Sequence, residues 1–208
     1  MMMQQEKRIL NILMEGKNMP EEHKPEVIVF AGPNGSGKST IFKIAYVNGI
    51  KKYINADDIK ASTGCSDLDA AQKAESLREN ALMNHEDFIF ETVLSTDRNL
   101  NLLKKAKKQG YFIRCIYVLT KDPEINIIRV RSRTDDGGHD VPEDKIISRY
   151  HKSLTRIPQL VDLCDIIHIY DNSKTPFRIY KKRKDQEFFW PNEFWNVEKI
   201  HSLIGKKV

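Results

Sequence analysis

The chain has 208 residues, 40% of them hydrophobic and 30% charged, with a formal net charge of +5. That is core material for one domain, and too mild a basic excess to specify nucleic acid over a smaller polyanion such as a nucleotide. No apolar run approaches the roughly 18 residues a membrane helix needs, and the start "MMMQQEKRILNILMEGKNMPEEHKPE" has no long apolar stretch of the signal-peptide type, so a cytoplasmic protein is expected.

Residues 1–24 read as a short amphipathic helix, about residues 5–14, followed by a polar linker with two prolines. Residues 25–208 read as the functional domain. It opens with the apolar strand "VIVF" (27–30), which runs into "AGPNGSGKST" and then the helical pattern "STIFKIAYV". Gly32, four residues, then Gly37-Lys38-Ser39 complete the G-x-x-x-x-G-K-[ST] phosphate-loop pattern between the strand and helix it requires. Glycines let backbone N–H groups turn inward around a phosphate, and the helix N-terminus adds partial positive charge. The loop Gly32, Pro33, Asn34, Gly35, Ser36, Gly37, Lys38, Ser39, Thr40 is therefore expected to bind ATP. Lys38 is placed on the β- and γ-phosphates, and the Ser39 hydroxyl on Mg²⁺.

"KYIN" (52–55) predicts a second strand, with Asp57 and Asp58 just beyond its end. A carboxylate there can accept the proton of an attacking hydroxyl or help hold Mg²⁺; equally, it can cap the next helical turn. "DLDAAQKAESLRENALMN" predicts a helix with Asp67 as N-cap. The strand "FIFET" (88–92) ends in Glu91, in the shape of a Walker B carboxylate that can orient water on Mg²⁺ or hydrogen-bond a substrate hydroxyl. Thr92, Ser95 and Asp58 are expected on the substrate side with it, while Ser95, Thr96 and Asp97 compete as caps of the next helix. That helix, "DRNLNLLKKAKKQG", is predicted to start at an Asp97 cap and stop at Gly110.

"YFIRCIYVL" (111–119) predicts the next strand, and "DPEINIIRVRSR" a helix with Asp122 at its cap and Pro123 in its first turn. "TDDGGHDVP" breaks it, and "PEDKIISRYHKSLTRIPQLV" resumes as one helix. Arg129 and Arg133 share a helix face, while Arg131 points elsewhere, toward a surface pairing with Asp135, Asp136, Asp140 or Glu143. With Arg149 on the second helix and Gly137-Gly138 as hinge, the stretch reads as a lid carrying guanidinium groups to a transferring phosphoryl. His139 within it binds substrate or orders the loop.

"IIHIY" (166–170) is a further strand in which His168 plays a structural part, and "PFRIY" one more. "KKRKDQ" reads as a charged turn, "EFFWPNEFW" as an aromatic cluster on an edge, and "NVEKIHSLIG" as a closing helix. Cys65, Cys115 and Cys164 lack metal-ligand spacing; the last two are expected as small buried thiols. Strand–helix alternation argues an α/β three-layer fold, a parallel sheet with helices on both faces.

"GPNGSGKST", "NADDI", "FETVLST", "RVRSRTDDGGHDVPEDKIISRYHKSL" and "DIIHIYDNS", spread over about residues 25–180, together resemble the zeta-toxin family of P-loop kinases in its compact branch. The resemblance implies ATP and Mg²⁺, phosphorylation of a sugar hydroxyl of UDP-N-acetylglucosamine, interference with cell-wall synthesis, and a partner antitoxin. It implies Asp57 as catalytic base, Lys38 as phosphate-binding lysine, Arg133 as the lid arginine with Arg129 and Arg149 beside it, and Glu91 as a substrate-side carboxylate. Two readings stand beside it. One is a polynucleotide or nucleoside kinase, motivated by "YKKRK" (180–184); the other is an ATP-hydrolysing switch whose arginines meet a partner.

Overall fold

The computed structural model describes residues 24–45, 50, 52–135 and 141–206. The expected N-terminal helix, the Gly137-Gly138 hinge and His139 lie outside the described residues. In chain order the elements are β1 (Glu26–Ala31), α1 (Lys38–Ala45), β2 (Tyr53–Ile54), α2 (Ala56–Thr63), α3 (Asp67–Met83), β3 (Phe88–Thr92), α4 (Arg98–Lys108) and β4 (Phe112–Leu119). There follow α5 (Pro123–Asp135), α6 (Glu143–Leu154), α7 (Ile157–Leu163), β5 (Ile166–Asp171), β6 (Phe177–Arg183), β7 (Gln186–Phe189) and α8 (Val197–Leu203).

The strands form a sheet in the order β2-β3-β1-β4-β5-β6-β7, parallel from β2 to β5 and antiparallel beyond. The α/β expectation holds, with an antiparallel margin added. β1 and β4 are near-continuous apolar runs because both of their faces are covered, as parallel strands require. One face carries the larger core, in which Ala74, Ala81 and Leu82 of α3, Leu100 and Leu103 of α4, and Ile157 and Leu160 of α7 pack on Val27, Val29, Phe88, Phe90 and Ile113. Small alanines on α3 let that helix approach the sheet closely. The other face carries a smaller core of Ile28, Phe30, Ile89, Ile116 and Val118 under Ile41 of α1. Each such fully buried side chain contributes roughly 1.5–3 kcal/mol.

Register sets the functional edge. Ala31 lies opposite both Thr92 and Tyr117, and Leu119 opposite Asp171, so β1 and β3 end together, β4 and β5 end together two residues further on, and the exit loops of all four lie along one rim. The chain steps to opposite sides of β1 for β3 and β4, which makes this rim the switch point where open α/β sheets bind ligands.

Several local expectations are corrected. Ser66, not Asp67, caps α3: its hydroxyl accepts Asp69 N–H at 3.1 Å and donates to the Asp69 carboxylate at 2.7 Å. Asp97 precedes α4 without capping it, because its carboxylate accepts Arg156 Nε–H at 2.8 Å instead. The helix expected over 142–161 is two, α6 and α7. The charged "turn" is mostly strand: Lys181–Arg183 lie in β6, and the reversal is at Lys184 and Asp185. Charge did not exclude pairing: Lys181 is buried on the sheet, Lys182 Nζ–H donates to Val161 O at 2.5 Å, and Arg183 is exposed. Other expectations stand. Asp122 Oδ1 accepts Glu124 N–H at 2.8 Å at the start of α5, Gly110 follows α4 with φ +83°, and Cys115 and Cys164 are buried free thiols. Burial, then Cys164, pushes the Cys115 thiol well up. Among the described residues no helix is long and apolar enough to cross a membrane.

Candidate active site

The phosphate loop spans residues 32–37 between β1 and α1, and its glycines are demanded by both backbone angle and space. Gly32, Gly35 and Gly37 have φ of +142°, +72° and +93°. A Cβ on Gly32 would lie 1.9 Å from Val118 O, on Gly35 2.5 Å from Asn126 O, and on Gly37 2.3 Å from Asn172 Nδ2. The loop is bolted from three neighbours. Gly32 N–H donates to Thr92 O at 3.1 Å, Asn172 Nδ2–H to Ser36 O at 2.8 Å, and Asn126 Nδ2–H to Asn34 O. Asn126 is wholly buried and its own amide oxygen accepts the Thr120 hydroxyl. Pro33 is buried with its carbonyl accepting Lys38 Nζ–H at 2.9 Å, the Ser36 hydroxyl is buried and unpaired, and Thr40 is exposed.

Lys38 opens α1, where the helix dipole already carries partial positive charge. Burial, the largest cause, brings its ammonium down to about 8; the Glu91 charge opposes this, Arg133 adds to it and Asp57 opposes it. Three residues from three separate elements thus share the electrostatic neighbourhood of one lysine. Glu91, at the end of β3, accepts Ser39 Oγ–H at 3.1 Å and Tyr53 O–H at 2.8 Å. Asn55 accepts Asp57 N–H at 3.0 Å, capping α2, and donates its Nδ2–H to the Tyr53 phenolic oxygen at 2.8 Å. With Asn55 as the cap, the exposed Asp57 and Asp58 carboxylates are spared that duty.

Thr92 departs from the substrate-side reading. Its hydroxyl is buried and accepts Leu94 N–H at 2.9 Å and Asn99 Nδ2–H at 2.8 Å, holding Leu94 at φ +56°. A non-glycine residue in that region costs about 1–3 kcal/mol and persists only where neighbours enforce it. Ser95 is half-buried in the same loop.

The arginines divide. Arg129 donates Nη–H to Ser173 O at 3.2 Å, tying α5 to the loop after β5, and Arg149 Nη1 lies 3.5 Å from Asn34 Oδ1 at the phosphate loop. Arg133 is exposed on α5, and Arg131 pairs with Glu143, the surface role expected of it. α5 and α6 pack through Ile127, Val130 and Ile146, and α6 is anchored to the sheet rim by Tyr150 O–H on Thr120 O at 2.6 Å. His168 lies in β5 with no exposed surface; burial, then Arg178, Lys181 and Arg114, keeps it neutral.

Tyr53, Asn126 and Asn172 belong to the site and were not singled out from the sequence. Asn172 lies within the "YDNS" that carried the resemblance, and Asn126 stands next to Ile127 and Ile128 in an otherwise apolar helical stretch. Tyr53 looked like an ordinary strand residue. An isolated amide beside apolar residues was the available signal, and it reads no differently from a surface polar residue until its neighbours are known.

The zeta toxin family model matches residues 48–185, well over half of the chain and beginning just after the phosphate loop. An uncharacterised protein of Haemophilus influenzae is 32% identical over 130 residues, covering 60% of this chain and 92% of that protein. Among solved structures, the fold is similar to a chain of the PezAT chromosomal toxin-antitoxin system of Streptococcus pneumoniae (TM-score 0.60, 18% identity, 99% of this chain and 88% of that one). It is also similar to a chain of the AvrRxo1-ORF1:-ORF2 complex with ATP (TM-score 0.64, 13% identity, 98% and 70%). With the phosphate loop and the carboxylates of its rim already in place, this match makes the chain a member of the zeta-toxin family of P-loop kinases.

Proposed function

We propose that this chain transfers the γ-phosphoryl of ATP to a hydroxyl of a nucleotide sugar of the UDP-N-acetylglucosamine type, and that it acts as a toxin held in check by an antitoxin partner. The observation that carries the reading is the run of hydrogen bonds from Ser39 of the phosphate loop through Glu91 and Tyr53 to Asn55 and the Asp57 N–H, beside a Lys38 that feels the charges of Glu91, Arg133 and Asp57. Phosphoryl transfer needs positioning and charge stabilisation more than covalent chemistry, and these four groups supply both. The loop N–H groups and Lys38 hold the phosphates. Asp57, exposed beside them, accepts the acceptor hydroxyl's proton. Arg133 neutralises charge on the transferred group, with Arg129 and Arg149 flanking the nucleotide.

Ser39 Oγ and the Glu91 carboxylate, 3.1 Å apart, are hard oxygen donors of the kind Mg²⁺ takes, and Mg²⁺ keeps most of its waters, so few protein ligands suffice. Ser39 donates its proton to Glu91 and keeps its lone pairs for the ion. The ion supplies charge neutralisation to the phosphates. The names of PezAT, a toxin-antitoxin system, and of the two-part AvrRxo1 complex with ATP support a nucleotide and a protein partner for the present chain. The polynucleotide-kinase alternative draws less support from "YKKRK", because Tyr180 and Lys181 are buried in β6 and only Arg183 and Lys184 of the stretch are exposed.

The test is ATP consumption by the purified protein against nucleotide sugars, nucleosides and 5′-hydroxyl oligonucleotides, with Asp57→Ala alongside. A nucleotide sugar should stimulate turnover. Asp57→Ala should lose about 10²–10⁴-fold in kcat while still binding ATP. Near-full turnover in that variant would remove Asp57 as the base, and turnover indifferent to every acceptor would favour a switch protein.

A further inference from the structure

Both oxygens of Glu91 are engaged from within the protein, one by Ser39 and the other by Tyr53. The Tyr53 oxygen is donor to Glu91 and acceptor from Asn55 at once, and Asn55 in turn holds the Asp57 N–H. One unbroken chain of hydrogen bonds therefore runs from the first turn of α1 to the first turn of α2, through the ends of β3 and β2. Its middle member is held rigidly. The Tyr53 ring stacks on Phe42 of α1 with centroids 4.2 Å apart and planes within 15°, and Phe42 meets Phe30 edge-on at 5.1 Å. Burial, and then the charge of Glu91, raises the phenol far above its ordinary range, so it stays a neutral donor.

Backbone pairing does little to fix this corner. β2 is two residues long and lies at the sheet edge; among the described residues it is paired through Tyr53–Ile89 and Ile54–Phe90, with Ile89 N–H donating to Lys52 O at 2.8 Å just before it. The carboxylate next beyond it is exposed. Ala56 and Ile59 pack α2 on the larger core, and side-chain bonds fix the turn at which it begins.

We infer that Tyr53 is a positioning residue, whose hydroxyl registers the Asn55–Asp57 turn against the Glu91–Ser39 pair and so sets the distance between the candidate base and the phosphate loop. The inference rests on the reading of Asp57 as the base. Its contribution lies in turnover, not in nucleotide affinity, because the phosphate cradle is held by other residues.

Tyr53→Phe keeps the stacked ring and removes only the linking oxygen. Amide exchange over residues 55–58 should quicken about tenfold, the equivalent of one lost hydrogen bond. With UDP-N-acetylglucosamine as acceptor, kcat should fall about tenfold while KM for ATP and the melting temperature hold. In an Asp57→Ala background the same change should cost nothing further, since the residue it positions is gone. Unchanged exchange at 55–58 overturns the inference, as does a tenfold loss that adds in full to Asp57→Ala, or a fall in kcat that tracks a lowered melting temperature. Should the wild type leave UDP-N-acetylglucosamine untouched, the proposed acceptor fails, and the exchange measurement still decides whether Tyr53 holds the turn.

Discussion

The phosphate side and the acceptor side of the rim are built by opposite means. On the phosphate side every critical backbone atom is backed by something that cannot yield: Val118 and Asn126 backbone behind two glycines, and the amides of Asn126 and Asn172 holding loop carbonyls. On the acceptor side, Asp57 and Asp58 are exposed at the start of an eight-residue helix with no fully buried residue, held by the partly buried Ala56 and Ile59 against the larger core, by its Asn55 cap and by Tyr53. Nucleotide phosphates are the same in every reaction of this class, so a rigid, pre-paid cradle suits them. An acceptor is what distinguishes one kinase from another, and a lightly held edge can change without disturbing the cradle. Cradle substitutions should therefore strike affinity and stability together, and rim substitutions should strike turnover alone.

On the cradle, the largest expected effect on affinity and stability is from Gly35→Ala. Its φ of +72° and a Cβ 2.5 Å from Asn126 O leave no room, so stability should fall by about 1–3 kcal/mol and ATP affinity by more than about tenfold. Calorimetric titration with ATP and a thermal melt read both; intact affinity would break the contrast. Asn172→Ala comes next, leaving Ser36 O without its buried donor at a cost of about 1–3 kcal/mol, visible as a lower melting temperature with weaker ATP binding.

A pH series sharpens the same side. The free protein's Lys38 loses its proton near 8, whereas phosphate binding requires the ammonium. ATP affinity should hold below pH 8 and weaken above it by up to about tenfold per pH unit, accompanied by proton uptake on binding. The fold itself moves the other way. A lysine depressed from 10.5 to about 8 leaves the unfolded chain binding more protons in that window, so unliganded stability gains from this group as pH rises through it. The smallest effect belongs to Arg131→Ala. Its pairing with Glu143 is exposed, so stability should change by less than about 1 kcal/mol. A clear loss of turnover in that variant would instead draw Arg131 into the site.

The legible part of the site was the part encoded in consecutive residues. The phosphate loop could be read because a strand, a glycine turn and a helix start must follow one another directly. Pro123 at the start of α5 and Gly110 after α4 could be read for the same reason. Ser66 was missed as a cap because Asp67 has equal intrinsic preference, and only the reciprocal bond with Asp69 chose between them. The Lys181–Arg183 stretch was mistaken for a turn because its charges outweighed the pull of β5, which pairs with it along its length. Thr92 looked like a substrate contact until its hydroxyl was found holding Leu94.

Sequence by itself determined that a phosphate loop lies between a strand and a helix in an α/β chain, and that carboxylates and arginines follow in an order resembling the zeta toxins. Those features depend on neighbours a few residues apart. Tertiary structure alone decided that Asn126 and Asn172 brace the loop from 92 and 136 residues away, and that Tyr53 joins Glu91 to Asn55 across the strand ends. A hydrogen bond between distant residues is created by strand order and register, and neither is written in the spacing of the side chains it brings together.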